Sequence, residues 1–297
     1  GGLTPPLRIA VASGKGGTGK TLVATSLALV AAERGRCAFL DVDVEAPNAA
    51  LFLYPRFDKH LAVERLVPWV DEARCTHCGR CSEVCQYHAI AALPKKTLVF
   101  PEICHSCGSC ARQCPEEAIH EAPETIGSLD VGWVDGGLAF AQGTLEIGEA
   151  MAPPVIRAAK RYAREAGWDK TDLLILDAPP GTACPVVEAL KGADAALLVT
   201  EPTAFGLHDL QLAVDVAREM LSLPVAVLIN KDRPDETGID EYCRTQRIPV
   251  LARIPLDRRI AVAYSSGIPL VRAFSEYREV FAAVHQNLER LALGGER

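Results

Sequence analysis

The sequence has no apolar stretch long enough to cross a bilayer. Its longest uncharged apolar run, Leu22 to Ala32, is eleven residues, against the roughly 20 that a spanning helix needs. No N-terminal segment pairs a charged start with a signal-like apolar core, so a cytoplasmic protein without a membrane partner is expected. Basic runs are also missing: 31 lysines and arginines face 38 aspartates and glutamates, for a net charge of −7. That balance argues against a nucleic-acid partner. What is plentiful is apolar content, 49% of 297 residues, enough for a large core plus one smaller module.

Cysteine is abundant, at eleven. Eight fall into two runs that superimpose when one is shifted by twenty-nine residues: Cys75, Cys78, Cys81 and Cys85 match Cys104, Cys107, Cys110 and Cys114, and Ile90 matches Ile119. A long chain with no signal and metal-like thiol spacing reads as a reduced cytoplasmic protein rather than a disulfide scaffold. Zinc is the rival metal, since eight cysteines could make two tetrahedral sites. Zinc modules seldom repeat C-x2-C-x2-C-x3-C, however, and that pattern resembles the bacterial ferredoxins, which wrap four-iron four-sulfur cubanes. The resemblance implies two such clusters. Cys75, Cys78, Cys81 and Cys114 would hold one, and Cys85, Cys104, Cys107 and Cys110 the other. Gln86 stands where the pattern has the proline that Pro115 keeps, so the cluster using Cys85 is expected to differ in potential or exposure. His77 and His105 read as loop histidines. Of the other thiols, Cys37 lies in a strand pattern as a buried small hydrophobe, Cys184 is expected to be a lone buried thiol, and Cys243 has no evident role.

Short apolar runs alternate with helical patterns elsewhere. Strands are expected at Leu7 to Ala12, Cys37 to Leu40, Leu173 to Leu176, Ala195 to Val199, Val225 to Ile229 and Val250 to Ile254. Helices are expected over Thr21 to Glu33 and near 184–191, 206–221, 236–246 and 274–293. This alternation predicts an α/β fold, a parallel sheet covered by helices on both faces. The stretch from Trp69 to Ala122 breaks the rhythm and has no room for a long helix. The expected organisation is therefore a P-loop domain over 1–68 and 123–297, with an inserted α+β ferredoxin-like module over 69–122. The glycine-rich residues 123–148 return the chain to the main domain with no clear pattern of their own.

Gly14-Lys15-Gly16-Gly17-Thr18-Gly19-Lys20-Thr21 follows a strand and opens a helix, the context a phosphate-binding loop needs. Its glycines let backbone N–H groups close around phosphate oxygens, with the helix dipole in support. Lys20 is expected on the β- and γ-phosphates of ATP and Thr21 on Mg²⁺. With Lys15 included, the loop resembles the deviant Walker A motif of the MinD/ParA class of ATPases, which includes the Mrp-type cluster carriers. That resemblance implies an ATP-dependent dimer in which Lys15 of one subunit reaches phosphates held by the other, as a homodimer or a heterodimer with a similar ATPase. By the same resemblance Asp43 orients the attacking water, Asp41 lies near the metal's outer shell, Asp177 holds Mg²⁺ through water, and Asn230 and Pro255 flank adenine. Plainer alternatives are a solvated loop lysine, helix-capping acids and a turn asparagine.

Together the two motif sets resemble MinD-superfamily ATPases with an inserted ferredoxin domain, found in anaerobes alongside orange-protein-type metallocluster proteins. The implied activity is ATP hydrolysis coupled to electron transfer to, or metallocluster assembly of, a partner metalloprotein or electron acceptor. The alternative is a ParA/MinD-like positioning or partition switch in which the clusters are sensory or structural. Glu289 to Gly295 supplies no basic amphipathic membrane-targeting helix in its favour.

Overall fold

The computed structural model describes residues 7–233 and 238–294. Residues 236 and 237 of the helix expected near 236–246, and Gly295, lie outside the described residues. The strands in chain order are β1 (Leu7–Ala12), β2 (Cys37–Asp41), β3 (Arg56–Val70), β4 (Ile90–Leu93), β5 (Lys96–Val99), β6 (Ile119–Val134), β7 (Leu138–Leu145), β8 (Leu173–Asp177), β9 (Ala195–Thr200), β10 (Val225–Asp232) and β11 (Val250–Pro255). Nine of them form one sheet in the order β11-β10-β9-β1-β8-β2-β7-β6-β3, and β4 pairs with β5. From β11 to β7 all neighbours are parallel; β6 is antiparallel to both β7 and β3.

The expected parallel sheet is present because its central strands are apolar on both faces. Ile9, Val11, Phe39, Ile175 and Leu197 face the helices Lys20–Ala32 and Tyr277–Ala292, meeting Leu27, Phe281 and Leu288. Their neighbours Ala10, Leu40, Leu174, Leu176 and Leu198 face the helices Pro153–Glu165, Cys184–Leu190 and Ala204–Val214, meeting Ile156, Leu190 and Leu210. Phe39 stacks on Phe140 with ring centroids 5.7 Å apart. Truncating either buried ring to alanine costs about 3–5 kcal/mol.

Three strands of the nine-stranded sheet, β3, β6 and β7, were not expected from the sequence. β3 is largely polar and exposed (RFDKHLAVERLVPWV), and β6 contains Pro123, Gly127 and Gly132. Their pairing runs from Arg56↔Trp133 to Val70↔Ile119, while β7 accompanies β6 only from Gly127 to Val134. Beyond Val63 and Gly127, then, the sheet edge continues as a two-stranded ribbon. The ribbon bears residues 71–118, which include all eight paired cysteines.

Those residues fold as two related halves. The short helices Arg80–Val84 and Ser109–Arg112 occupy matching places. Left-handed backbone recurs at the same spacing, at His77 and Ser106, Gly79 and Gly108, and His88 and Glu117. Phe100 N–H donates to Ala89 O and Asp71 N–H to Ala118 O, each at 2.8 Å. Ile90 and Ile119 are buried between the halves with Cys81. No helix among the described residues is long and apolar enough to cross a membrane.

Candidate functional site

The loop between β1 and the helix Lys20–Ala32 is shaped by its glycines. A Cβ on Gly14 would lie 2.1 Å from the Asp209 carbonyl oxygen. Gly19 has φ +91°, and a Cβ there would lie 2.1 Å from Asn230 Nδ2. Only glycine tolerates such approach at positive φ. Asn230 Nδ2 donates to Thr18 O at 2.8 Å, and Ser13 Oγ donates to Lys15 O at 2.7 Å. The loop is thus held from both sides.

Lys20, Thr21 and Asp177 converge. Lys20 Nζ lies 2.6 Å from Asp177 Oδ1, and Thr21 Oγ1 donates to Asp177 Oδ2 at 2.8 Å. Asp43 is 3.9 Å from Lys20 Nζ. Burial works against the Lys20 charge, but Asp177, Asp43 and Asp41 outweigh it and hold its pKa above the ordinary lysine value. Asp43 is pushed up to about 6 by burial, with Lys20 pulling it back. Asp41 is fully buried and pushed up to about 8, by burial first and then by Asp177. Its oxygens accept N–H bonds from Asp43, Asn48 and Ala49 at 3.2, 3.0 and 2.9 Å, so it ties down the loop after β2.

Lys15 is one-third exposed and sits 3.8 Å from Glu201 Oε2 of its own chain. Glu201 also binds Lys231 Nζ at 2.6 Å, and Lys231 donates to Gly17 O at 3.0 Å. Glu201 and Lys231 were not foreseen, because neither lies in the loop motif. Asn230 and Pro255 line a cavity of about 220 Å³ with Leu22, Leu256, Ile260 and Tyr264. Tyr264 belongs to the helix Arg258–Ser265, also unforeseen. Its one available signal was Asp257, whose Oδ1 caps Arg259 N–H at 2.7 Å. A larger cavity, about 510 Å³, opens beside Arg8, Lys160 and Lys191 near the start of β1, apart from these residues.

The eight repeat cysteines surround two further cavities. One is lined by Cys75, Cys78, Cys81 and Cys114, the other by Cys85, Cys104, Cys107 and Cys110. Backbone N–H groups of Ala89, Ala118 and Ser106 point at the sulfurs of Cys85, Cys114 and Cys104 at 3.2, 3.3 and 3.4 Å. Four soft donors per cavity, with amides facing the sulfurs, suit a thiolate-ligated cluster. His77 Nδ1 is 3.6 Å from Cys75 Sγ and joins Glu72 beside it, while His105 stacks on Tyr87 at 3.6 Å. Gln86 is exposed.

The remaining cysteines divide differently from expectation. Cys37 is buried, as expected, and burial pushes its thiol pKa up. Cys243 is also buried, on the inner face of the helix Gly238–Gln246, and is raised to about 11 by burial. Cys184 is exposed rather than buried. It is the first residue of the helix Cys184–Leu190, where the chain leaves the Gly181 turn at the protein surface.

Residues 9–270 match the family described as the CobQ/CobB/MinD/ParA nucleotide binding domain. An uncharacterized protein of Methanocaldococcus jannaschii is 36% identical over 203 residues, 68% of this chain and 70% of its own. A protein of Pyrococcus horikoshii named an iron-sulfur cluster carrier protein is 26% identical over 280 residues, 89% of this chain and 79% of its own. The cell division ATPase MinD of Pyrococcus furiosus superimposes with a TM-score of 0.57 at 20% identity, over 95% of this chain and 99% of that one, a likeness of fold. With the family match running from residue 9 to residue 270, through the phosphate-binding loop and the Asn230 cavity, the chain belongs to the CobQ/CobB/MinD/ParA nucleotide binding domain family.

Proposed function

We propose that this chain is a Mg²⁺-dependent ATPase that carries two four-iron four-sulfur clusters. Its nucleotide-controlled dimer couples hydrolysis to electron transfer to, or metallocluster assembly of, a partner metalloprotein. The observation that carries the reading is the division of the repeat cysteines, three from one run and the fourth from the other around each cavity. That division matches the ligand sets of two-cluster ferredoxins. Cys75, Cys78, Cys81 and Cys114 hold one cluster and Cys85, Cys104, Cys107 and Cys110 the other, within an inserted module over 69–122. The bound clusters supply one-electron chemistry.

The chain's own residues do the rest. Backbone N–H groups of Gly14, Gly16, Gly17, Thr18 and Gly19 cradle the phosphates. Lys20 exchanges Asp177 for the β- and γ-phosphate oxygens, after which Thr21, and Asp177 through water, would hold Mg²⁺. Asp43, 3.9 Å from Lys20, orients the attacking water. Asp41 fixes the loop that carries Asp43, beside the metal's outer shell. Adenine occupies the cavity of Asn230, Pro255 and Tyr264. Lys15 leaves Glu201 and reaches the partner subunit's nucleotide, concentrating positive charge where charge shifts during transfer. ATP and ADP states then differ in affinity for the metalloprotein, which is what a switch requires.

The test is an EPR-monitored redox titration of anaerobically prepared protein, with and without a non-hydrolysable MgATP analogue. A shift in potential or line shape on nucleotide binding is expected. Two clusters indifferent to nucleotide would sink the electron-transfer coupling and favour ATP-gated docking. Iron well below about eight atoms per chain would remove the two-cluster reading itself.

A further inference from the structure

The cavity of about 510 Å³ beside Arg8 lies at the start of β1, the opposite end of that strand from the phosphate-binding loop. Its floor is apolar sheet: Leu40 of β2 with Leu174 and Leu176 of β8. The helix Pro153–Glu165 brings Arg157, Lys160, Arg161 and Arg164 to it, at the i, i+3, i+4, i+7 spacing of a single helix face. Arg8 and Lys191 raise the cations on the lining to six.

Carboxylates answer only part of that charge. Arg8 pairs with Asp194 at 2.8 Å, and Glu188 serves both Arg157 at 3.3 Å and Lys191 at 3.8 Å. Asp169 is the remaining carboxylate on the lining. Lys160 is bonded to the carbonyls of Glu188 and Lys191, which bring no counter-charge. Among the described residues, neither Arg161 nor Arg164 is in an ion pair, and both are exposed. Six cations therefore face three carboxylates, in a chain whose net charge is −7. The crowding is felt at Lys160: burial lowers its pKa first, and Lys191, Arg164 and Arg8 add to that against Glu188.

Protein interiors leave few voids larger than a water molecule, and like charges held together repel. A basic helix face that merely met solvent would need no open apolar floor beneath it. The volume falls in the range of roughly 300–1,000 Å³ usual for small-molecule sites. A guanidinium grips a phosphate through two parallel N–H bonds. We propose that this cavity binds a small organic phosphate. Arg161 and Arg164 hold the phosphate at the rim, and its apolar body lies on Leu40, Leu174 and Leu176. A doubly charged headgroup answers the unpaired cations, and the floor favours an organic phosphate over the inorganic ion. The site is separate from the nucleotide and cysteine sites, so the inference rests on neither the hydrolysis nor the two-cluster reading.

The test is isothermal titration calorimetry of the whole chain at low salt, with phenyl phosphate, inorganic phosphate and benzoate as probes. Saturating MgADP is present throughout to fill the phosphate-binding loop. Phenyl phosphate is expected to bind saturably, and about tenfold more tightly than inorganic phosphate, from burial of its ring. Benzoate, with a single charge, is expected to bind more weakly than phenyl phosphate. Arg161→Gln and Arg164→Gln, both at exposed positions, should each weaken phenyl phosphate about tenfold. Arg290→Gln, which removes an exposed cation from another helix, should leave the affinity unchanged. No saturable binding, or inorganic phosphate or benzoate binding as tightly as phenyl phosphate, would overturn the inference. So would affinity that survives both cavity substitutions, or that falls equally in Arg290→Gln.

Discussion

At the residue scale, the nucleotide site is a set of short-range commitments that single substitutions expose. Lys20→Ala removes the buried ammonium that pairs with Asp177 and leaves that carboxylate without it. ATP binding or turnover should be abolished in an equilibrium binding and phosphate-release assay; unchanged hydrolysis would sink the assignment. Lys15 is different, being one-third exposed and paired with Glu201 at 3.8 Å. Lys15→Ala should leave nucleotide binding by the monomer largely intact and abolish ATP-dependent dimerisation by light scattering, together with hydrolysis. A normal dimer with normal turnover would rule out its role across the interface. Gly14→Ala drives a methyl against the Asp209 carbonyl. It should destabilise the fold by about 1–3 kcal/mol, the usual range for overpacking, read as a lower urea midpoint. Lys15, Lys20 and Thr21 were legible in the sequence because the loop that uses them is contiguous. Glu201, Lys231 and Tyr264 were not, because only the ends of β9 and β10 and a later helix bring them to it.

At the scale of elements, sequence legibility followed apolar density. β8 and β9 are buried along their length, and β1 at every residue but Arg8, and all three were found; β3 is mostly exposed and was missed, although at fifteen residues it is among the longest strands. The helix Pro153–Glu165 was missed too. Its apolar face is largely alanine, and charged residues fill the other side. That helix carries a pH-dependent contact: Lys160 Nζ donates to the carbonyls of Glu188 and Lys191 at 2.7 and 2.6 Å, closing the end of the helix Cys184–Leu190. Burial lowers Lys160 to about 8 from 10.5, against the pull of Glu188. Between those values the unfolded chain keeps a proton that the folded chain has released, so the contribution of Lys160 to stability rises with pH across that window and is level below it. The stability of wild type relative to Lys160→Met should therefore climb between about pH 8 and 10.5 in urea titrations. A level or falling difference would contradict the assignment.

At the scale of the whole molecule, the sequence specified two chemistries but not their connection. The repeat of eight cysteines announced paired metal sites, whereas the ribbon that carries them had no apolar signature to reveal it. On the proposed ligand division, in which Cys78 serves one of two clusters, Cys78→Ser should lower the iron content by about half; full iron would contradict that division. The ribbon has a consequence for how such a chain can be assembled. Its strands leave and re-enter the sheet as adjacent partners, with Val63 opposite Gly127 and Glu64 opposite Thr125. The sixty residues between Glu64 and Thr125 therefore leave the sheet at a point where a two-residue hairpin turn would equally close the strand pair. A tight turn at that seam would leave every parallel strand with its neighbours, so the cysteine-bearing part could be exchanged without redrawing the sheet.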